Sequence, residues 1–494
     1  MEYSLNFSIS MASSKLSLLL SSIISISLIQ STSQHLFLPL THSLSTTIFK
    51  SPHHLLQSTT TISTNRHRHH TEKQLSLPLT PGTDYTLTLT LNSQTLSLYM
   101  DTGSDVVWFP CSPFKCMLCE GKYKPGSLSL LNITKSSLIT CNSRACSYAH
   151  SSLSSSNLCA IAKCPIDEIE MSACSSYTCP PFYYAYGDGS FIAQLHKLNL
   201  QIPSKSKENP LILNNFTFGC AHSSIGEPIG VAGFGRGVLS LPAQLANLNP
   251  NLGNQFSYCL VSHSFDSTKI RNPSPLIIGK YKLRSDSNEV FHGFVYTPLL
   301  DNPKHPYFYS VGLDAISVGS QRIPAPENLK SVDREGNGGV VVDSGTTYTL
   351  LPTGFFKSVA AELERRVGKV VKRDREAELR TGLSPCFGLE LGKRNLGFIV
   401  PNLVLHFGGN NCSVVLPIRN YFYEFMDGGD GVEEGRKVGC FMVMDGGDDG
   451  ESGPGATLGN YQQQGFEVVY DLERRRVGFA RRKCATLWNN LNQR

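Results

Sequence analysis

Two short apolar runs end in the same way. Leu96-Ser97-Leu98-Tyr99-Met100 leads into Asp101-Thr102-Gly103-Ser104, and Gly339-Val340-Val341-Val342 leads into Asp343-Ser344-Gly345-Thr346. Each reads as a buried strand that leaves through a glycine turn and presents a carboxylate at its end. Long amphipathic helices are scarce. The best case is 354–373, where Phe356, Val359, Leu363 and Val367 recur at helical spacing beside a charged face and predict a surface helix. Tyr183, Tyr184, Phe191 and Ile192 bracket Tyr186-Gly187-Asp188-Gly189, which predicts a β-hairpin with a glycine-rich tip.

A single Asp-Thr-Gly or Asp-Ser-Gly is ordinary turn chemistry. Here each is followed by a second element, Val231-Ala232-Gly233 after the first and Thr457-Leu458-Gly459 after the second. The closing glycines lie 132 and 116 residues beyond Asp101 and Asp343. Matched motifs in matched order point to an internal duplication that brings two carboxylates to one place. Two carboxylates in near contact cannot both ionise cheaply, so they share one proton. The ionised partner takes a proton from water while the protonated one donates to a carbonyl oxygen, which is peptide hydrolysis without a covalent intermediate.

The runs Asp101 to Trp108, Tyr186 to Ser190, Phe218-Gly219-Cys220, Phe256 to Leu260, Asp343 to Thr347 and Val477-Gly478-Phe479-Ala480 follow one another in a telling order. From about residue 80 to 485 the chain resembles the pepsin-like aspartic proteases, in particular the cysteine-rich plant branch typified by nepenthesin. The resemblance implies an all-β, bilobal fold with a cleft between two β-rich lobes. It implies Asp101 and Asp343 as the catalytic pair, supported by the loop residues Thr102, Gly103, Ser104, Ser344, Gly345 and Thr346. Thr102 and Ser344 would cross-brace the loops, and Ser104 and Thr346 would donate to the outer oxygens of the two aspartates. Tyr186, with Gly187, Asp188 and Gly189, would form a flap over bound substrate, braced by the Trp108 indole N–H. The alternative reading of the residues is that Tyr186 and Trp108 are a core aromatic pair. The chain departs from the family in two places. Thr90 to Thr95 replaces a Gly-Thr-Pro-rich turn, and Phe191-Ile192 follows Ser190 where a Thr and a Gly are usual.

A length of 494 residues suits two lobes and a presequence, and 42 glycines, 27 prolines and 17% charged residues suit strands and turns. The expected divisions are a leader at 1–33, a prosegment or linker at 34–78, lobes at 79–295 and 296–485, and a polar tail at 486–494. No acidic residue falls between Glu2 and Glu72, and an apolar stretch from Leu16 to Ile29 follows Lys15. That fits a signal peptide, with a plastid transit peptide as the alternative. Nine of the 15 cysteines fall between Cys111 and Cys179, which reads as a disulfide-stapled insertion at 111–179 and favours the secretory route. Cys116-Met117-Leu118-Cys119 lacks the second pair a zinc site needs, so no metal is expected. Family position pairs Cys386 with Cys440.

Asn132, Asn215 and Asn411 head N-glycosylation sequons. The net charge of +5 includes a basic presequence and implies no nucleic-acid partner. Beyond the leader no apolar run approaches the roughly 18 residues needed to cross a membrane. The expectation is a monomeric, cofactor-free aspartic endopeptidase acting on peptides or proteins at acidic pH, secreted or vacuolar, with the chloroplast as the alternative. The competing expectation is a proteolytically inactive binding protein on the same fold, such as an inhibitor of glycoside hydrolases. Retention of both aspartates, Tyr186 and the supporting hydroxyls argues against it.

Overall fold

The computed structural model describes residues 36–42, 56, 85–119, 129–133, 137–187, 189–202, 210–248, 252, 254–262, 273–280, 293–389, 399–427, 436–447 and 453–492. The expected leader, most of the expected prosegment and Asp188 lie outside the described residues.

The duplication is visible in the strand pairing. In the first lobe Gln94–Asp101 runs parallel to Val231–Gly233, with Asp101 opposite Gly233. In the second, Val340–Val342 runs parallel to Ala456–Leu458, with Val342 opposite Leu458. Each partner strand is also met from the other direction, Val231 by Trp108 and Thr457 by Leu350. The chain crossings are tight enough to explain the closing glycines: a Cβ at Gly233 would lie 2.5 Å from the Asp105 carbonyl carbon, and one at Gly459 2.4 Å from that of Tyr348.

Under both lobes runs a six-stranded antiparallel layer in the spatial order Leu36–His42, Ser274–Ile278, Gln255–Cys259, Phe466–Asp471, Arg476–Arg481 and Val295–Leu300. The pairing of Gln255–Cys259 with Phe466–Asp471 joins the lobes. Its first strand falls within the segment expected as a prosegment or linker at 34–78. Leu36, Leu38 and Leu40 alternate into the main core, so this part of the segment belongs to the folded body. The polar tail expected at 486–494 is likewise structured over most of its length. Cys484–Asn492 is a helix that buries Leu487 and Leu491, sets Trp488 on Phe37 at 4.7 Å and is bonded through Cys484 to Cys259.

The helix expected at 354–373 is Thr353–Val367. It buries Phe356, Val359, Leu363 and Val367 as the spacing requires, and Gly368 ends it before a short strand at Lys372–Arg373. Within the insertion, Cys141–Cys159, Cys146–Cys179 and Cys164–Cys174 tie together three short helices, Arg144–Ala149, Ser155–Ile161 and Ile166–Glu170. Cys116 is bonded to Cys119, Cys111 to Cys220 outside the insertion, and Cys386 to Cys440. The remaining thiol, Cys412, is buried, which pushes its pKa up to about 11.

Candidate active site

Each aspartate closes its own turn first. Asp101 Oδ1 accepts from Gly103 N at 2.8 Å, and Asp343 Oδ1 accepts from Gly345 N at 2.8 Å. The two turns then face one another. A Cβ on Gly345 would lie 2.3 Å from Asp101 Oδ1, and one on Gly103 would lie 2.9 Å from Asp343 Oδ1, so each carboxylate rests against the glycine of the opposite loop. Four bonds lock this arrangement across the lobes. Thr102 Oγ1 donates to Val342 O at 3.0 Å and accepts from Ser344 N at 2.9 Å. Ser344 Oγ donates to Met100 O at 3.1 Å and accepts from Thr102 N at 3.1 Å. All four groups are buried, where an unmade bond is costly.

The hydroxyls two positions further on are not equivalent. Thr346 Oγ1 donates to Asp343 Oδ2 at 2.6 Å. Ser104 Oγ, expected to do the same for Asp101, is buried beside the Tyr186 phenol and makes no bond of standard geometry. The Tyr186 side chain stands beside the first loop, so the sequence repeat meets two different surroundings.

The hairpin at the glycine-rich motif is formed by Phe182–Ala185 and Ser190–Ile202, closed by Tyr186 N donating to Gly189 O at 2.7 Å. Trp108 Nε1 donates to Tyr186 Oη at 2.8 Å. Trp108 is also fully buried, stacked on Phe191 at 4.5 Å, so it is a core residue and the brace of the flap tyrosine at once. Because an indole N–H only donates, Tyr186 accepts there and keeps its own proton to give elsewhere. Burial and the charge of Asp101 hold that phenol protonated, well above the ordinary tyrosine pKa. Phe191, one of the departures from the family pattern, contacts Tyr184 and Tyr186 at 5.6 and 5.9 Å between ring centres and so fills the underside of the flap.

An open cleft runs over the two carboxylates and under Tyr186. Its walls include Tyr99, Tyr184, Tyr307, Phe308, Glu227 and Val341. None of these was singled out as cleft-lining from sequence, because no turn motif marks them. Asp105 was read only as part of its motif, yet it is a buried carboxylate between Ser104 and the apolar run Val106-Val107-Trp108. That charge among apolar neighbours was the available signal. The side chains of Asn132, Asn215 and Asn411 are exposed.

Residues 85–280 match the family model described as Xylanase inhibitor N-terminal, and residues 308–481 match that described as Xylanase inhibitor C-terminal. A probable aspartyl protease of Arabidopsis thaliana is 55% identical, over 94% of this chain and 96% of its own. The chain belongs to the pepsin-like aspartic protease family. Another relative in that family, aspartic proteinase nepenthesin-1 of Nepenthes gracilis, is 30% identical over 81% of this chain and 78% of its own. Among solved structures, basic 7S globulin from soybean matches with a TM-score of 0.57 at 20% identity, over 92% of this chain and 99% of that one. A structure described as edgp matches with a TM-score of 0.59 at 18% identity, over 92% and 96%. Those two likenesses are of fold.

Proposed function

We propose that the chain is an aspartic endopeptidase in which Asp101 and Asp343 activate a water for attack on a peptide carbonyl. The observation that carries this reading is the seating of each carboxylate against the opposite loop's glycine, with both loops fixed by four bonds across the lobes. One proton is held between the two carboxylates. The ionised partner takes a proton from the attacking water, and the protonated one donates to the carbonyl oxygen. The diol intermediate then collapses as a proton passes to the departing amine.

An extended peptide suits the cleft, because a strand-like substrate exchanges backbone hydrogen bonds with the flap hairpin. The aromatic walls at Tyr99, Tyr184, Tyr307 and Phe308 favour apolar residues around the scissile bond. On this reading activity is highest at acidic pH, as a mechanism that needs one carboxyl group protonated and the other ionised requires. Seven disulfides favour the secretory route and an extracellular or vacuolar address. Among the described residues no helix is long and apolar enough to cross a membrane. On this reading Asn132, Asn215 and Asn411 carry glycans and the enzyme acts as a monomer.

The test is cleavage of a denatured protein at acidic pH by the folded, oxidised chain, with and without pepstatin. Pepstatin-sensitive cleavage is expected, and none by folded protein would overturn the reading. The description of the matching family models favours a second one, an inhibitor of glycoside hydrolases. That reading predicts dose-dependent inhibition of a xylanase and no proteolysis.

A further inference from the structure

The mechanism above makes no use of Asp105 or of the cysteine-rich insertion, and the two meet. Asp105 is 2% exposed, four residues after Asp101. Its Oδ1 accepts from Gly237 N at 2.7 Å, while its Oδ2 makes no hydrogen bond of standard geometry and lies against the Tyr148 hydroxyl. Around it the segment Phe234-Gly235-Arg236-Gly237 is wrapped too closely for side chains at either glycine. A Cβ at Gly237 would lie 1.8 Å from both Asp105 Oδ2 and the Tyr148 hydroxyl, and one at Gly235 would lie 2.9 Å from Asp105 Oδ1.

That segment also holds the site. Phe234 N donates to Asp101 O at 2.7 Å, Gly235 N to Ser104 O at 2.7 Å, and Arg236 N to the carbonyl of the cleft residue Tyr307 at 2.9 Å. Tyr148 in turn stands on the helix Arg144–Ala149, started by Ser143 Oγ accepting from Cys146 N at 3.1 Å. The same helix is bonded through Cys146 to Cys179, just before the flap strand. His150, its next residue, lies 3.1 Å through Nε2 from Pro180 O and sets its ring edge-on to Phe182 at 6.3 Å.

We propose that the Arg144–Ala149 helix of the insertion, through Tyr148 and the Asp105 carboxyl group, positions the loop carrying Asp101 relative to the root of the flap. Tyr148 and Asp105 are positioning residues, and the inference rests on the aspartic-protease reading of the site. The phenol both donates and accepts, so the contact survives either protonation state of Asp105.

The test compares Tyr148→Phe, Asp105→Ala and Asp105→Asn with wild type in the full oxidised chain. The readouts are kcat and KM for a peptide substrate and amide hydrogen exchange at residues 101–105 and 234–237. Tyr148→Phe removes the polar group that faces the buried Asp105 Oδ2 and is expected to lower kcat about tenfold with little change in KM. Asp105→Ala should cost more, and Asp105→Asn, which still accepts from Gly237 and presents a polar group to the Tyr148 hydroxyl, should restore most of the rate. Exchange at the two segments should quicken about tenfold in Tyr148→Phe. Tyr177→Phe, elsewhere in the insertion, should change neither readout. Unchanged kcat in Tyr148→Phe beside an active wild type overturns the proposal, as does failure of Asp105→Asn to rescue. If folded wild type cleaves nothing, the protease reading falls instead, and unchanged exchange in Tyr148→Phe then overturns the positioning role by itself.

Discussion

Replacing Thr102 by valine keeps the shape of the side chain and removes its hydroxyl from the junction of the lobes. The Thr102 hydroxyl makes two bonds, one given to Val342 O and one taken from Ser344 N. Val342 O retains the Tyr470 hydroxyl at 3.3 Å, whereas Ser344 N loses its acceptor within a buried loop. An orphaned buried donor costs about 1–3 kcal/mol and the other lost bond about 1 kcal/mol, so Thr102→Val should destabilise by about 2–4 kcal/mol. Ser344→Ala removes the mirror-image pair of bonds and should cost a similar amount. Urea unfolding followed by tryptophan emission is a suitable assay, since the chain holds only Trp108 and Trp488. Activity should fall as well, because the braced loops carry the carboxylates. A loss below about 0.5 kcal/mol in Thr102→Val, typical of an unconstrained surface site, would refute the view that these bonds hold the loops together.

Asp105 should make stability depend on pH. Burial raises its pKa from 3.8 to about 6 against the opposing influence of the Tyr148 hydroxyl and the Gly237 N–H, so its contribution is complete below about pH 4 and fades as pH rises through 6. A shift of about two units corresponds to roughly 3 kcal/mol. Relative to wild type, Asp105→Asn should therefore gain thermal stability between pH 4 and 7, and parallel melting curves across that range would contradict the assignment. Trp108→Phe keeps most of the buried ring but removes the bond to Tyr186, and steady-state kinetics should show kcat/KM about tenfold lower. The buried strand Leu36–His42 should be present in the purified protein; mass spectrometry that finds a folded, active form lacking residues 36–42 would show the strand to be dispensable.

The parts of this molecule legible in its sequence are those where backbone geometry restricts residue choice. Asp-Thr-Gly and Asp-Ser-Gly announce turns, and Gly233 and Gly459 stand where crossing chains leave no room for a side chain. Alternating aromatics around Gly187 and Gly189 gave the hairpin, and the 3.6-residue spacing gave the helix at Thr353–Val367. What stayed hidden depends on partners distant in the chain or on surroundings. Leu36–His42 alternates cleanly but sits in a segment set apart by composition, and its partner strand is Ser274–Ile278. Leu487 and Leu491 are two apolar positions among asparagines, so their helix reads as a polar tail. The repeat makes Ser104 and Thr346 look alike, yet Ser104 Oγ lies beside the Tyr186 phenol whereas Thr346 Oγ1 donates to Asp343 Oδ2. Tyr148 reaches Asp105 because disulfides fold the insertion back, a contact that no periodicity encodes.

The central claim is that the two carboxylates work as one unit. Asp101→Asn and Asp343→Asn, made separately and shown to be folded, should each lose cleavage by at least about a thousandfold, because neither carboxylate alone can both activate water and protonate the carbonyl. Near wild-type cleavage in either folded variant would contradict the account.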